Sequence, residues 1–117
     1  MRFREEGRKP IFALSYPVFV RGIVMRDNKP SVTIVYCRQC NWMLRAAWMA
    51  QELLSTFQED LGQVTLVPAT GGAFRIEYEG EEIWERKRDG GFPDVKTLKQ
   101  LVRDRLDPER DLGHIDR

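Results

Sequence analysis

Val32-Thr33-Ile34-Val35-Tyr36-Cys37-Arg38-Gln39-Cys40 is the stretch on which the reading of this chain turns. Its first five residues are β-branched or aromatic, as a strand requires, and from Asn41 onward the chain becomes rich in Ala, Leu and Met, as a long helix requires. The two cysteines of this 117-residue chain both fall at that junction. A helix start carries partial positive charge and unpaired N–H groups, so a thiol there ionises more readily than free cysteine, whose pKa is about 8.5. Two intervening residues within a first helical turn also bring the sulfurs near enough to close a disulfide. The thiolate is the form that attacks disulfides and peroxides, so Cys37 and Cys40 form the candidate redox pair.

Other uses of the pair fit less well. Zinc needs four ligands, yet there is no third cysteine and the one histidine, His114, lies in the expected tail, so no metal site is expected. A static bridge over so short a loop removes little chain entropy. Two inert buried thiols are the bland alternative, since free cysteine packs as a small hydrophobe. No phosphate-binding loop and no Ser-His-Asp set accompanies the pair.

A net charge of +1, with 42% hydrophobic and 32% charged residues, describes one small domain with a single core. Near-neutral charge argues against a nucleic-acid footprint or a polybasic membrane contact. Two closely spaced cysteines point to a reducing compartment, the cytoplasm. The apolar stretch 11–25 is broken by Pro17 and Arg21 and is too short to span a bilayer. Residues 1–30 therefore read as a dispensable N-terminal extension, with Met25 an alternative start; 31–108 form the domain and 109–117 a tail.

Within the domain, strands are expected at about 32–36, 64–67, 73–79 and 82–87, with Gly80 turning the last two into an antiparallel hairpin. A first helix is expected over 41–61, ended by Gly62. Pro93-Asp94 opens a second, with Val95, Leu98, Leu101, Val102 and Leu106 on one face and Asp107-Pro108 as its stop. The order is β-α-β-β-β-α. Two strands joined by a helix must run parallel, and the hairpin extends the same sheet. This is the minimal thioredoxin-like α/β layout, a mixed four-stranded sheet with both helices on one face. Met43, Ala46, Ala47, Ala50, Leu53, Leu54, Phe57 and Leu61 would turn the first helix toward that sheet. Leu44 and Trp48 fall outside this face and either meet the second helix, the preferred reading, in which Trp48→Ala would cost about 3 to 5 kcal/mol, or form an exposed partner patch. Thr33, Thr65, Arg75 and Glu77 should line a solvated opposite face.

Tyr36-Cys37-x-x-Cys40, Gly71-Gly72-x-Phe74, Gly80, Ile83-Trp84-x-Arg86-Lys87 and Gly91-Phe92-Pro93, in this order, resemble the selenoprotein W/T/H-like (Rdx-type) family. The resemblance runs from Val32 to about Pro108. It implies a thioredoxin-like fold and a redox-active CxxC, with Cys40 at the position of selenocysteine in selenium-containing members, so this chain resembles a cysteine homologue. It also implies a thiol–disulfide or antioxidant role linked to glutathione, with thiol or disulfide proteins as partners.

The function expected is that of a small thiol–disulfide oxidoreductase cycling Cys37 and Cys40, with no bound cofactor and glutathione as a co-substrate. Arg38 is expected to favour a nearby thiolate by its charge. Gly71 and Gly72 are expected to let their loop approach the motif, with Phe92 and Pro93 as further support. The helix start favours Cys37 as the attacking sulfur, whereas the selenocysteine position favours Cys40; Cys37 is preferred. The alternative is a redox-sensing module that docks a partner through Trp42, Phe92 and Trp48 without turnover.

A chain beginning at Met25 is expected to fold and keep its thiol chemistry. Loss of cooperative thermal unfolding in that shortened chain would place the extension in the core instead.

Overall fold

The computed structural model describes residues 28–113, so the extension as far as residue 27, including the stretch 11–25 and the alternative start at Met25, and His114 lie outside the described residues. The chain forms β1 (Ser31–Cys37), α1 (Met43–Thr56), β2 (Gln63–Ala69), β3 (Phe74–Tyr78), β4 (Glu81–Glu85), α2 (Arg86–Asp89) and α3 (Val95–Leu106). The sheet order is β2-β1-β3-β4, with β1 parallel to β2 and antiparallel to β3, and β3 antiparallel to β4. Pro68, which lacks a ladder donor, is tolerated because β2 is an edge strand. Apart from the short α2, this is the expected β-α-β-β-β-α order with a mixed four-stranded sheet.

One cluster holds the core. Val32, Ile34 and Tyr36 of β1, Phe74 and Ile76 of β3, and Ile83 of β4 meet Ala46, Met49, Ala50 and Leu53 of α1 and Leu98 and Val102 of α3. The alternate residues of β1 and β3 supply one sheet face, and both long helices bury their apolar stripes in the same cluster. On the opposite face Thr65 and Val67 stay exposed and Arg75 pairs with Glu77 along β3 at 3.0 Å. Val35, flanked there by Val67 and Arg75 on the adjacent strands, is nevertheless buried, so that face is less open than the alternation implies.

The first helix is shorter than its hydrophobic pattern. Asn41, at φ 61°, delays its start to Met43, and Phe57 leaves helical geometry at the far end. Arg110 donates to the Thr56 carbonyl at 3.1 Å, while Asp60 N–H turns to Phe57 O instead. Leu61 N–H also bonds Phe57 O, so Phe57 and Leu61 stay buried one helical step apart inside a turn. That spacing is what extends the apparent helix to Leu61. Arg110 further pairs with Asp60 and lies over the Phe57 ring, folding the chain after α3 back onto the domain.

Gly62 has a different role from the expected left-handed helix cap. A Cβ there would lie 3.0 Å from Lys29 O and 3.2 Å from Pro30 O, and Gly62 N–H donates to Pro30 O at 2.7 Å. Glycine is needed because two backbones cross where the chain enters β1 and β2. The hairpin turn, by contrast, has Glu79 and Gly80 both at positive φ, 51° and 83°, as a tight type I′ connection demands.

Arg86 and Lys87 leave the expected strand to form α2. Glu85 accepts from Arg88 N–H at 2.7 Å, and Asp89 accepts from Glu85 N–H at 2.8 Å, a reciprocal pair that ends the strand and winds one turn. Asp94 caps α3 by accepting from Thr97 N–H at 2.8 Å, as the Pro-Asp pair predicts.

Trp48 does not pack on the second long helix. It is 46% exposed and Leu44 is 75% exposed, as are parts of Met43 and Leu54, which were expected to face the sheet; Met49 takes the buried position. The contact between α1 and α3 includes the Lys99–Glu52 ion pair at 2.9 Å. In denaturant unfolding, Trp48→Ala should therefore change stability by no more than about 0.5 kcal/mol, the usual surface range. Gly62→Ala should cost about 1–3 kcal/mol, as overpacking against rigid backbone does.

Candidate functional site

Cys37 is the last residue of β1 and has no solvent exposure, whereas Cys40, three residues on, is exposed. Between them the chain makes a tight turn. Arg38 N–H donates to Ala69 O at 3.0 Å, prolonging the β1–β2 pairing; Asn41 N–H returns to Arg38 O at 3.1 Å and Trp42 N–H to Cys37 O at 3.4 Å. The pair thus precedes the helix rather than occupying its first turn. Both thiols are free, and Cys40 Sγ–H donates to Cys37 Sγ at 2.7 Å, against roughly 2.0 Å for a covalent bridge. Closing the bridge brings the sulfurs together by only about 0.7 Å.

The two thiols are pushed apart in acidity. Cys37 is held below the ordinary thiol value, first by the proton Cys40 donates to it, against the opposing effect of burial, and then by the N–H groups of Gly72, Cys40 and Gln39. Cys40 is raised, first because its proton is committed to Cys37, then by lost hydration and by the charge on Cys37; Gly72 N–H and the Arg86 guanidinium act in the opposite sense. The expected dipole of the following helix is not what lowers Cys37, since α1 begins at Met43. Two sulfurs this close titrate as a pair that shares a proton.

Gly72 earns its glycine and Gly71 does so differently. Both have φ near 72–73°, but a Cβ on Gly71 would meet nothing within 4 Å, so it serves the turn alone. Gly72 turns its N–H toward both sulfurs while its carbonyl accepts from Arg86 Nε at 3.2 Å and Nη2 at 3.1 Å. Arg86 also lies over the Trp42 ring at 5.0 Å. It is the residue the sequence reading overlooked. It holds the glycine loop against the cysteines and supplies the positive charge expected of Arg38. Its one signal was its place in Ile83-Trp84-x-Arg86, read there as strand.

Arg38 is exposed and lines an open groove of about 440 Å³ with Tyr36, Asn41, Met43 and Leu44. Phe92 packs edge-on against Trp42 and Phe74, each at 4.9 Å, and Pro93 is buried beside it. Trp42 and Phe92 therefore face inward as a brace behind the motif, and of the three aromatics considered for partner docking Trp48 alone is substantially exposed. Among the described residues no group of three or more His, Cys, Asp or Glu could hold a metal ion, and no helix is long and apolar enough to cross a membrane.

Alkylation of the dithiol by iodoacetamide should rise with pH at a midpoint below that of an ordinary thiol. Arg86→Gln keeps a donor for Gly72 O but removes a cation that favours the thiolate of Cys40, the exposed sulfur, so the midpoint should move upward, and Arg86→Lys should move it partly back. An unmoved midpoint would make Arg86 a loop anchor alone.

The model of the Rdx family matches residues 31–104, from the start of β1 almost to the end of α3. A crystal structure of a protein from Bordetella parapertussis is 64% identical and one of a selenoprotein W-related protein from Vibrio cholerae is 60% identical; each superposes with a TM-score of 0.67 over 68% of this chain and 100% of its own. The mouse protein Migration and invasion enhancer 1 is 29% identical over 84 residues, 70% of each chain. The matched stretch contains the whole sheet, the cysteine pair, the Gly71-Gly72 loop and Arg86, with a thioredoxin-like fold throughout, and on that match this chain belongs to the Rdx family.

Proposed function

We propose that this protein is a thiol–disulfide oxidoreductase that works in a reducing compartment, the cytoplasm, on thiol or disulfide proteins. The observation that carries this reading is a pair of free thiols 2.7 Å apart, one exposed and one buried, with unequal acidity. Membership of a family with a CxxC pair supports it.

Attack on a substrate disulfide needs a sulfur that the substrate can reach, which favours Cys40 over the buried Cys37. Because the pair shares a proton, the fraction of molecules with the charge on Cys40 is the reactive one. Its thiolate attacks one sulfur of R–S–S–R′; that S–S bond breaks, R′S⁻ leaves and a Cys40–R mixed disulfide forms. Cys37, kept acidic by Gly72 and its neighbours, then attacks Cys40 Sγ and releases RS⁻. Two electrons pass to the substrate, its two thiolates take up two protons, and Cys37–Cys40 is left as the disulfide. A low-molecular-weight thiol such as glutathione returns the pair to the dithiol as two of its molecules become their disulfide.

Mild oxidation should lower the intact mass by about 2 Da, the loss of two hydrogens in one intramolecular disulfide. A pair that stays reduced would sink the proposal. Cys37→Ser should accumulate mixed disulfides with glutathione or partner proteins and Cys40→Ser should not; the reverse pattern would make Cys37 the attacking sulfur. Repeated turnover of a model disulfide with excess glutathione separates an oxidoreductase from a sensor, which reacts once.

A further inference from the structure

The surface around Cys40 carries cations without counter-ions. Among the described residues Arg38, Arg45 and Arg86 have no carboxylate partner, as is also true of Lys29, Lys87 and Lys96, while Arg75, Arg88, Arg103, Arg105, Arg110 and Lys99 each do. Arg38 lies two residues before Cys40 in the same turn. Arg86 acts on the Cys40 sulfur by its charge and lies over Trp42. Arg45 lies over Phe92 at 4.1 Å, and Phe92 packs on Trp42, so two guanidiniums share one aromatic brace.

An apolar surface adjoins this cationic one. Met43 and Leu44 line the open groove beside Arg38, and Trp48 follows Leu44 one turn later on the outer face of α1. These residues are 50%, 75% and 46% exposed. Small-molecule sites enclose most of their ligand, which an open groove with such exposed walls does not do. Unpaired positive charge next to an exposed apolar strip matches a chain that brings both a carboxylate and a large apolar side chain.

We propose that this surface selects protein disulfides whose reacting cysteine sits in an acidic segment with an apolar anchor. The carboxylates meet Arg38 and Arg45, and the anchor lies on Met43, Leu44 and Trp48. The inference rests on the oxidoreductase reading and names its substrate class.

The test uses heptapeptides with a central cysteine joined to 2-nitro-5-thiobenzoate, whose release reports the first exchange step on the full chain. One peptide has Asp on both sides of the cysteine and Leu two residues further on; a second has Lys in place of Asp; a third keeps Asp but replaces Leu by Ser. Bis(2-hydroxyethyl) disulfide and glutathione disulfide serve as small neutral and small anionic substrates. At low salt the Asp peptide should react at least about tenfold faster than the Lys peptide, and the ratio should shrink as ionic strength rises. Arg45→Gln should lower that ratio, and Leu44→Ala should remove the advantage of the Leu peptide over its Ser counterpart. Equal rates for the Asp and Lys peptides, with the neutral disulfide reacting normally, would overturn this inference and leave the oxidoreductase intact. So would glutathione disulfide matching the Asp peptide with no effect of Leu44→Ala, which would mark a glutathione site. Mutual protection of Leu44 and Trp48 in a dimer seen by sedimentation would overturn it as well. No reaction with any disulfide would remove both readings together.

Discussion

β1 is hydrogen-bonded along both edges, parallel to β2 and antiparallel to β3, and the rest of the domain is arranged around that double pairing. An interior strand cannot slip its register by one residue without turning Val32, Ile34 and Tyr36 out of the core. The pairing therefore fixes where the strand ends. Arg38 N–H still reaches Ala69 O, so the chain is held in place through the first residue beyond Cys37. Cys37 is immobilised and buried as a consequence, and the tight turn that follows lifts Cys40 back to the surface.

The cysteine pair depends on a second element that is distant in sequence. Gly72 faces the sulfurs because Arg86, fourteen residues later, grips its carbonyl with two guanidinium nitrogens. The strand-to-helix transition at Glu85 determines where Arg86 starts, and the capping pair of Glu85 and Asp89 sets that transition. Trp42 lies under Arg86 and against Phe92, which ties the turn after the cysteines to the segment before α3. Local rigidity around the two sulfurs thus arises from three separate parts of the chain. An N–H and a cation placed by such a framework favour a thiolate without reorganising when it forms.

The side chains of α1 divide between a packed face and an exposed one. Ala46, Met49, Ala50 and Leu53 are buried or nearly so and anchor the helix to the sheet, with Lys99 and Glu52 linking it to α3. Leu44 and Trp48 contribute little to that packing and remain open, Leu44 in the groove beside Arg38. Apolar side chains grouped on a surface next to unpaired arginines mark a place where another molecule would gain from docking. The same helix carries a core face and an exposed apolar face, separated by its periodicity.

The element order along the chain, the parallel crossover, the hairpin at Gly80 and the Asp94 cap were legible from the residues, because alternation, helical periodicity and turn chemistry are local signals; that β1 lies between β2 and β3 was not. The cysteine pair was legible for the same reason, and its family likeness came from motifs spread over the whole domain. Other features depend on parts of the chain that meet in space. Phe57 and Leu61 kept helical spacing inside a turn because Arg110, far along the chain, claims the Thr56 carbonyl. Gly62 looked like a helix cap but is required by the crossing of two backbones. Trp48 had the size of a core residue, yet its neighbour Met49 takes the buried place on α1 and Trp48 stays half exposed. Which thiol is acidic, which is accessible and which arginine supports them could not be read from Cys-x-x-Cys itself. Those properties follow from burial and from the approach of the Gly72 loop, and burial and approach are set by tertiary contacts rather than by neighbours in sequence.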